Sequence, residues 1–347
     1  MKAIFPSSLA QTETMRLTLQ RKQSALAKAE IEIGTGRHAD VGATLGGRLS
    51  GVVDLRALST ELAAIEHSNG IVKSRFDTTQ SALSAIGKIA EDLFASIVAA
   101  RQSGADRSLL IDDARSRMEQ LQALSRSTSE GAFVFSGINA SATPLDDYLA
   151  DPPGSARTAV TAVFSGLVAG AGGQASKISA ADMQTYLDTT FSSLFDDPSW
   201  SSAFSSAAME GMTHRISINE TIEAPITAND PALRELYKVL AGLIDSDIEN
   251  LDAEAFDVLA DRLAKSAASA SSAIARAQAS LGVEQERLAK ATDRIVLERA
   301  TAERQVGAEE GVDSYEVATR ITSLMTALET SYSMTARLMN MTLLKYL

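Results

Sequence analysis

The sequence predicts a mainly α protein: a long, coiled-coil-like helical bundle formed by the N- and C-terminal halves, with a small β-rich (α+β) domain inserted. Three observations carry this. From Leu55 to Ala100 two heptad registers run without a proline: Leu55, Leu62, Asn69, Phe76, Leu83, Ala90, Ile97, and Leu58, Ile65, Val72, Thr79, Ile86, Leu93, Ala100. All but Asn69 and Thr79 are apolar, so a helix of about 70 Å must lie lengthwise on partners of similar length. Toward the other end, Ile274, Leu281, Leu288 and Ile295 are again seven apart, and Ala270, Ala277 and Ala291 fill small seam positions beside them. Between the two halves, from Gly131 to about Ala224, the texture changes: prolines come quickly and apolar residues alternate with polar ones.

The bulk properties narrow the possible functions. A chain of 347 residues can hold two or three domains. With 45% hydrophobic but only 5% aromatic residues, it suits close helix–helix packing better than a large globular core. The net charge of −12 repels a phosphate backbone and argues against nucleic-acid binding. The absence of Cys excludes disulfides, thiolate metal sites and cysteine nucleophiles. The N-terminal MKAIFPSSLAQTETMR does not read as a cleavable signal peptide, because Pro6 cuts its apolar core and polar residues follow. The uncharged run Thr158–Ser176 carries four glycines and reads as strand and loop, with no membrane insertion expected.

Taken in order, residues 8–33 read as a helix with Leu19, Leu26 and Ile33 seven apart, flanked by Met15 and Ala29. A solvated face explains Arg16, Arg21, Lys22 and Lys28; a membrane-surface or export-recognition helix is the alternative. Gly34 and Gly36 break the pattern, and Gly36–Gly51 reads as a glycine-rich, non-helical connector without phosphate-loop spacing. After the long helix, Gly104 breaks the rod. Ser108 or Asp106 then caps a helix to about Ser129, with Leu110, Ala114, Met118, Leu121 and Leu124 on one face. GAFVFSG, Gly131–Gly137, has alternating β-formers. Strands are expected at Ala159–Ser165 and His214–Glu223, the latter with Ile216, Ile218 and Ile222 on one face. Between them Ser179 caps a short helix through Phe195, and Trp200 packs the core of this insert.

Asn229-Asp230-Pro231 is a helix start, followed by the stripe Leu233, Leu236, Leu240, Leu243. Asp245–Asp252 fails as a calcium loop, since Asn250 and Phe256 stand where Gly and a bidentate Glu are needed. Helix resumes from Asp252 and breaks at Glu309–Asp313. A last helix, Ser314–Leu347, is nearly free of charge. These breaks divide the chain into paired termini (1–40 and 312–347), a helical rod (41–136 and 226–311) and an insert (137–225).

No catalytic or cofactor chemistry is legible. His38, His67 and His214 lack ligand spacing, and there is no nucleophile elbow or phosphate loop. Asn69 interrupts an apolar seam and reads as a register-setting residue. The informative feature is instead the two apolar ends. They either complete a bundle or bury themselves against neighbouring copies. On the second reading the assembly interface is Met15, Leu19, Leu26 and Ile33 with Leu324, Leu328, Leu338, Met341 and Leu344.

The two ends resemble the flagellin superfamily, most closely its hook–filament junction members (hook-associated protein 3). The resemblance rests on QSALAKAEIEIGTGR (Gln23–Arg37), EGAFVFSGINASATP (Glu130–Pro144), ARAQASLGVEQERL (Ala275–Leu288), EEGVDSYEVATRITSL (Glu309–Leu324) and MTARLMNMTLLKYL (Met334–Leu347). It implies an extracellular structural subunit of the bacterial flagellum, exported by the flagellar type III apparatus without a cleaved signal. It also implies self-assembly through paired terminal helices. The implied partners are hook-associated protein 1, flagellin, and an export chaperone on the C-terminal helix. The connector departs from the family pattern: ADVGATLGGRLS stands where an Asp-Asp is frequent. Flagellin itself and, from outside the family, a cytoplasmic coiled-coil scaffold or a secreted translocator-like protein stay open as alternatives.

Overall fold

The computed structural model describes residues 8–103 and 106–343. Its helices are α1 (Ser8–Thr35), α2 (Val41–Leu45), α3 (Leu49–Ser103), α4 (Arg107–Ser125), α5 (Ser155–Gly170), α6 (Ala180–Tyr186), α7 (Ser199–Ala203), α8 (Pro231–Asp245), α9 (Ala253–Glu310) and α10 (Ser314–Leu343). Two antiparallel hairpins complete it: β1 (Thr128–Ser129) with β2 (Ala132–Phe133), and β3 (Thr213–Arg215) with β4 (Thr221–Glu223). The protein is thus mainly α, with long helices and a small β-containing region. It divides into two compact units, Met1–Ala63 with Val296–Leu347, and Ala64–Ile295.

In the unit Ala64–Ile295, the α3 seam is buried as its period requires: Ile65, Val72, Phe76, Leu83, Ile86, Ala90, Leu93 and Ile97 are all inside. The partner is α9, running antiparallel. Asn69 meets Thr292, Asp77 meets Gln285, and Arg101 meets Asp261. At Gly87 an added Cβ would touch the Ile274 side chain at 3.4 Å, so the absent side chain lets the two helices approach. α8 is buried almost all round and packs against α4 and α5. Asp230 caps it by accepting from the Ala232 amide, with Pro231 at the first helical position. Trp200 stacks on Phe204 with ring centroids 5.3 Å apart, meets Tyr237 edge-on, and donates Nε1–H to Asn229 Oδ1 at 2.8 Å.

Several local expectations need correction. Ala159–Ser165 is helix, inside α5. Ala156, Val160 and Phe164 recur every four residues and are buried, so packing on α8 overrides the strand preference of the Thr and Val residues between them. His214–Glu223 is not one strand but the β3–β4 hairpin. Its turn leaves Ile218 exposed while Ile216 and Ile222 are buried. The Gly36–Gly51 connector is partly helical: Asp40 caps α2 through the Ala43 amide, and α3 already starts at Leu49. The strand content is smaller than expected: the strands in 137–225 are β3 and β4, and helical segments, α5, α6 and α7 with short 3-10 and π turns, fill much of the rest. The β1–β2 hairpin turns on Glu130 and Gly131, both at positive φ, the geometry of a two-residue turn that matches strand twist.

Buried polar groups tie the hairpins to α3. Asn69 Nδ2 donates to Ile216 O and to Thr292 Oγ1, each at 3.0 Å. Arg75 donates to Phe133 O at 2.8 Å. Asn69→Ala would leave the Ile216 carbonyl without its donor. It is expected to cost about 1–3 kcal/mol in urea unfolding followed by Trp200 fluorescence. His214 gives a pH test. Burial, then the Arg75 charge, holds its imidazole below the usual histidine range. The unfolded chain therefore takes up the proton first. The stability due to neutral His214 is full above pH of about 6.5 and is lost as pH falls toward the lowered folded value. His214→Gln should flatten the fall in unfolding midpoint between about pH 7 and pH 5.

Candidate assembly interface at the paired terminal helices

In the unit formed by Met1–Ala63 and Val296–Leu347, the two terminal helices run antiparallel against each other. On α1 the inward positions follow a 3–4 alternation: Met15, Leu19, Lys22, Leu26 and Ala29. On α10 they are Val317, Ile321, Leu324, Leu328 and Ser331, again in 3–4 steps. Lys22 Nζ reaches Ala327 O and Ser331 Oγ, and Gln23 Nε2 donates to Tyr332 OH at 2.7 Å. Arg320 donates to Glu32 Oε2 at 3.0 Å. These contacts run between the turns of α1 and α10 that face each other.

The expected interface residues separate on this geometry. Leu328 is buried within the unit, and Met15, Leu19, Leu26 and Leu324 are half-buried between the helices. Ile33 does not continue the seam. It is 40% exposed, and Glu32 occupies the inward position instead, drawn there by Arg320 and the Ala39 amide. Leu338 and Met341 fall within α10, and Leu344 lies outside the described residues.

A second set of apolar positions stays outside. Leu17 and Ile31, fourteen residues apart on α1, are exposed, as are Met325 and Tyr332, seven apart on α10. Each helix thus covers one apolar stripe and shows another. Such stripes mark interaction sites when they persist on a folded unit. No helix among the described residues is long and apolar enough to cross a membrane.

Below the pair, four segments converge. α1 ends at Thr35, before Gly36 with φ +68°, and α9 ends at Glu310, before Gly311. Their backbones cross as an antiparallel bridge between Arg37 and Gly311. His38 N donates to Glu310 O at 2.9 Å, and Val312 N to Gly36 O at 3.1 Å. Neither glycine is replaceable at no cost: Gly36 sits in the left-handed region, and a Cβ on Gly311 would lie 2.5 Å from Gly307 O. Asp313 then starts α10 by accepting from the Tyr315 amide. Leu45, Val52 and Val306 make a small apolar cluster nearby.

Glu310 is the residue that sequence reasoning missed. Its side chain is only 1% exposed and its Oε2 takes both Arg56 and Arg37. The only sequence signal was the facing of two glycine breaks, at Gly36 and Gly311, each with an acid and a base nearby.

Residues 7–140 match the bacterial flagellin N-terminal helical region, and residues 265–347 match the bacterial flagellin C-terminal helical region. Together the two matches take in more than half of the chain. No curated protein matches it. A solved structure from Vibrio parahaemolyticus, provisionally described as a flagellar hook-associated protein, is similar with a TM-score of 0.50 at 11% identity. That likeness covers 74% of this chain and 95% of the other, and at such an identity it is one of fold.

If the inward seam holds the pair together, Leu26→Ala should loosen it by about 2–3 kcal/mol or less, given the half-buried site. The expected readout is faster amide exchange along α1 and α10, with exchange in α8 unchanged.

Proposed function

The chain belongs to the flagellin superfamily, and from that premise we propose that it is a structural, non-enzymatic subunit joining the hook of the bacterial flagellum to its filament. The single observation that carries this reading is the half-covered terminal pair. Its inward stripes are satisfied within the chain, while Leu17, Ile31, Met325 and Tyr332 need neighbours. The resemblance at Glu130–Pro144 favours the junction role over a filament role. In this reading 1–40 with 312–347 is the axial part, 41–136 with 226–311 the rod, and 137–225 the projecting part. Copies of the chain form a ring or short helical tier, with hook-associated protein 1 on the hook side and flagellin on the distal side. An export chaperone holds the C-terminal helix, and the subunit leaves the cell through the flagellar type III apparatus without a cleaved signal.

The interface residues are Met15, Leu19, Leu26, Ile33, Leu324, Leu328, Leu338, Met341 and Leu344. Of these, Ile33 is 40% exposed within the chain and in this reading is covered by another subunit. Flagellin is the second reading, favoured by the two flagellin regions matched at the ends.

Deleting the gene separates the two. A junction subunit leaves bare hooks with flagellin accumulating in the medium. A redundant filament subunit leaves normal filaments and motility, which would overturn the junction reading. Leu328→Asp places a carboxylate in a buried apolar seam, a cost of several kcal/mol, about 2–7 for an uncompensated polar group. Purified Leu328→Asp and Leu338→Asp subunits are expected not to assemble; normal assembly of both would remove the interface assignment.

A further inference from the structure

A seam of period 3.5 is poorly selective about register. Sliding α1 by seven residues along α10 still brings most apolar positions onto apolar ones, with Lys22 and Ser331 the polar exceptions in the repeating stripes. The pins along the pair are weak selectors. Lys22 reaches Ala327 O at 3.4 Å and Ser331 Oγ at 3.3 Å, and the Gln23–Tyr332 bond is exposed. Something else must choose among near-equivalent registers, and the crossing below the pair is built for it.

There Glu310 is buried while Arg37 and Arg56, its partners, are each about half-exposed. One carboxylate oxygen takes both guanidinium groups and the other, Oε1, has no partner among the described residues. A buried pair of this kind is a poor source of net stability, since desolvating the acid offsets the attraction, whereas it penalises any arrangement that separates the acid from its bases. The three residues come from three segments. Arg37 follows α1, Arg56 stands on α3 and Glu310 ends α9 immediately before α10. Glu32 repeats the device one turn up α1, accepting from Arg320 of α10 and from the Ala39 amide.

We propose that Glu310 is a positioning residue: held between Arg37 and Arg56, it locks the crossing of the two chain ends and so fixes the antiparallel register of α1 against α10. The purpose of a single register rests on the assembly reading, because every copy must then present Leu17, Ile31, Met325 and Tyr332 to its neighbours in the same relative positions. The lock itself is a property of the free chain.

The test uses the full chain, whose lack of cysteine allows paired labels. Gln23→Cys is combined with either Tyr332→Cys or Ala318→Cys, and a short bismaleimide is added. In the parent chain only the 23–332 pair is expected to link. Glu310→Met keeps the volume and removes the charge. It is expected to link 23–318 as well, and to speed amide exchange at His38 and Val312 by about ten-fold or more while the global melting midpoint holds. Arg56→Met removes the half-exposed partner and leaves Glu310 itself in place, and is expected to act in the same direction in a chain that folds. Linking of 23–332 alone in both variants would overturn the proposal. So would linking of both pairs in the parent, unprotected His38 and Val312 amides in the parent, or a uniform loss of protection that follows the melting midpoint. Failure of the assembly reading shows elsewhere, in Leu328→Asp subunits that still polymerise, and leaves these outcomes unchanged.

Discussion

The structure depends on one constraint: a 55-residue helix with an apolar seam must be covered along its length. In the unit Ala64–Ile295 that cover is α9, aligned antiparallel, and the chemistry of the seam shows how the alignment is chosen. Small residues of α9 such as Ala270 and Ala291 are buried beside the large residues of α3, while Gly87 gives way to Ile274. Asn69 is the polar exception. It bonds Thr292 across the seam and Ile216 of the β3 end, so a single residue sets helix register and seats a hairpin.

The other unit applies the same rule and stops halfway. α1 and α10 bury one stripe each and leave one stripe each uncovered, which is the physical basis for reading them as surfaces for further copies. Their crossing is polar where the seam is apolar. Glu32 and Glu310 are acids placed where burial is costly, and each is answered by arginines from other segments. Apolar burial holds such a pair together without caring much about register. Buried charge is selective and contributes little else. The two kinds of interaction therefore divide the work between affinity and geometry.

The sequence by itself determined the elements that rest on long periodicity or on local caps. The α3 and α9 heptads, the Asp230–Pro231 helix start, the Ser179 cap and the breaks at Gly36 and Gly311 were legible because each depends on residues within a few turns. So were the half-buried Met15, Leu19 and Leu26. Tertiary structure decided what depends on contacts far along the chain. Val160 and Phe164 became helix because α8 offers an apolar face, against the strand preference of their neighbours. The glycine-rich connector gained α2 because Asp40 caps it and Leu45 packs with Val306. Ile33 turned outward because Glu32, one residue earlier, found Arg320 some 288 residues away. Glu310 was invisible for the same reason: no local pattern distinguishes a glutamate that will be buried between two arginines from one that will stay in water, and only the crossing of the chain ends makes the difference.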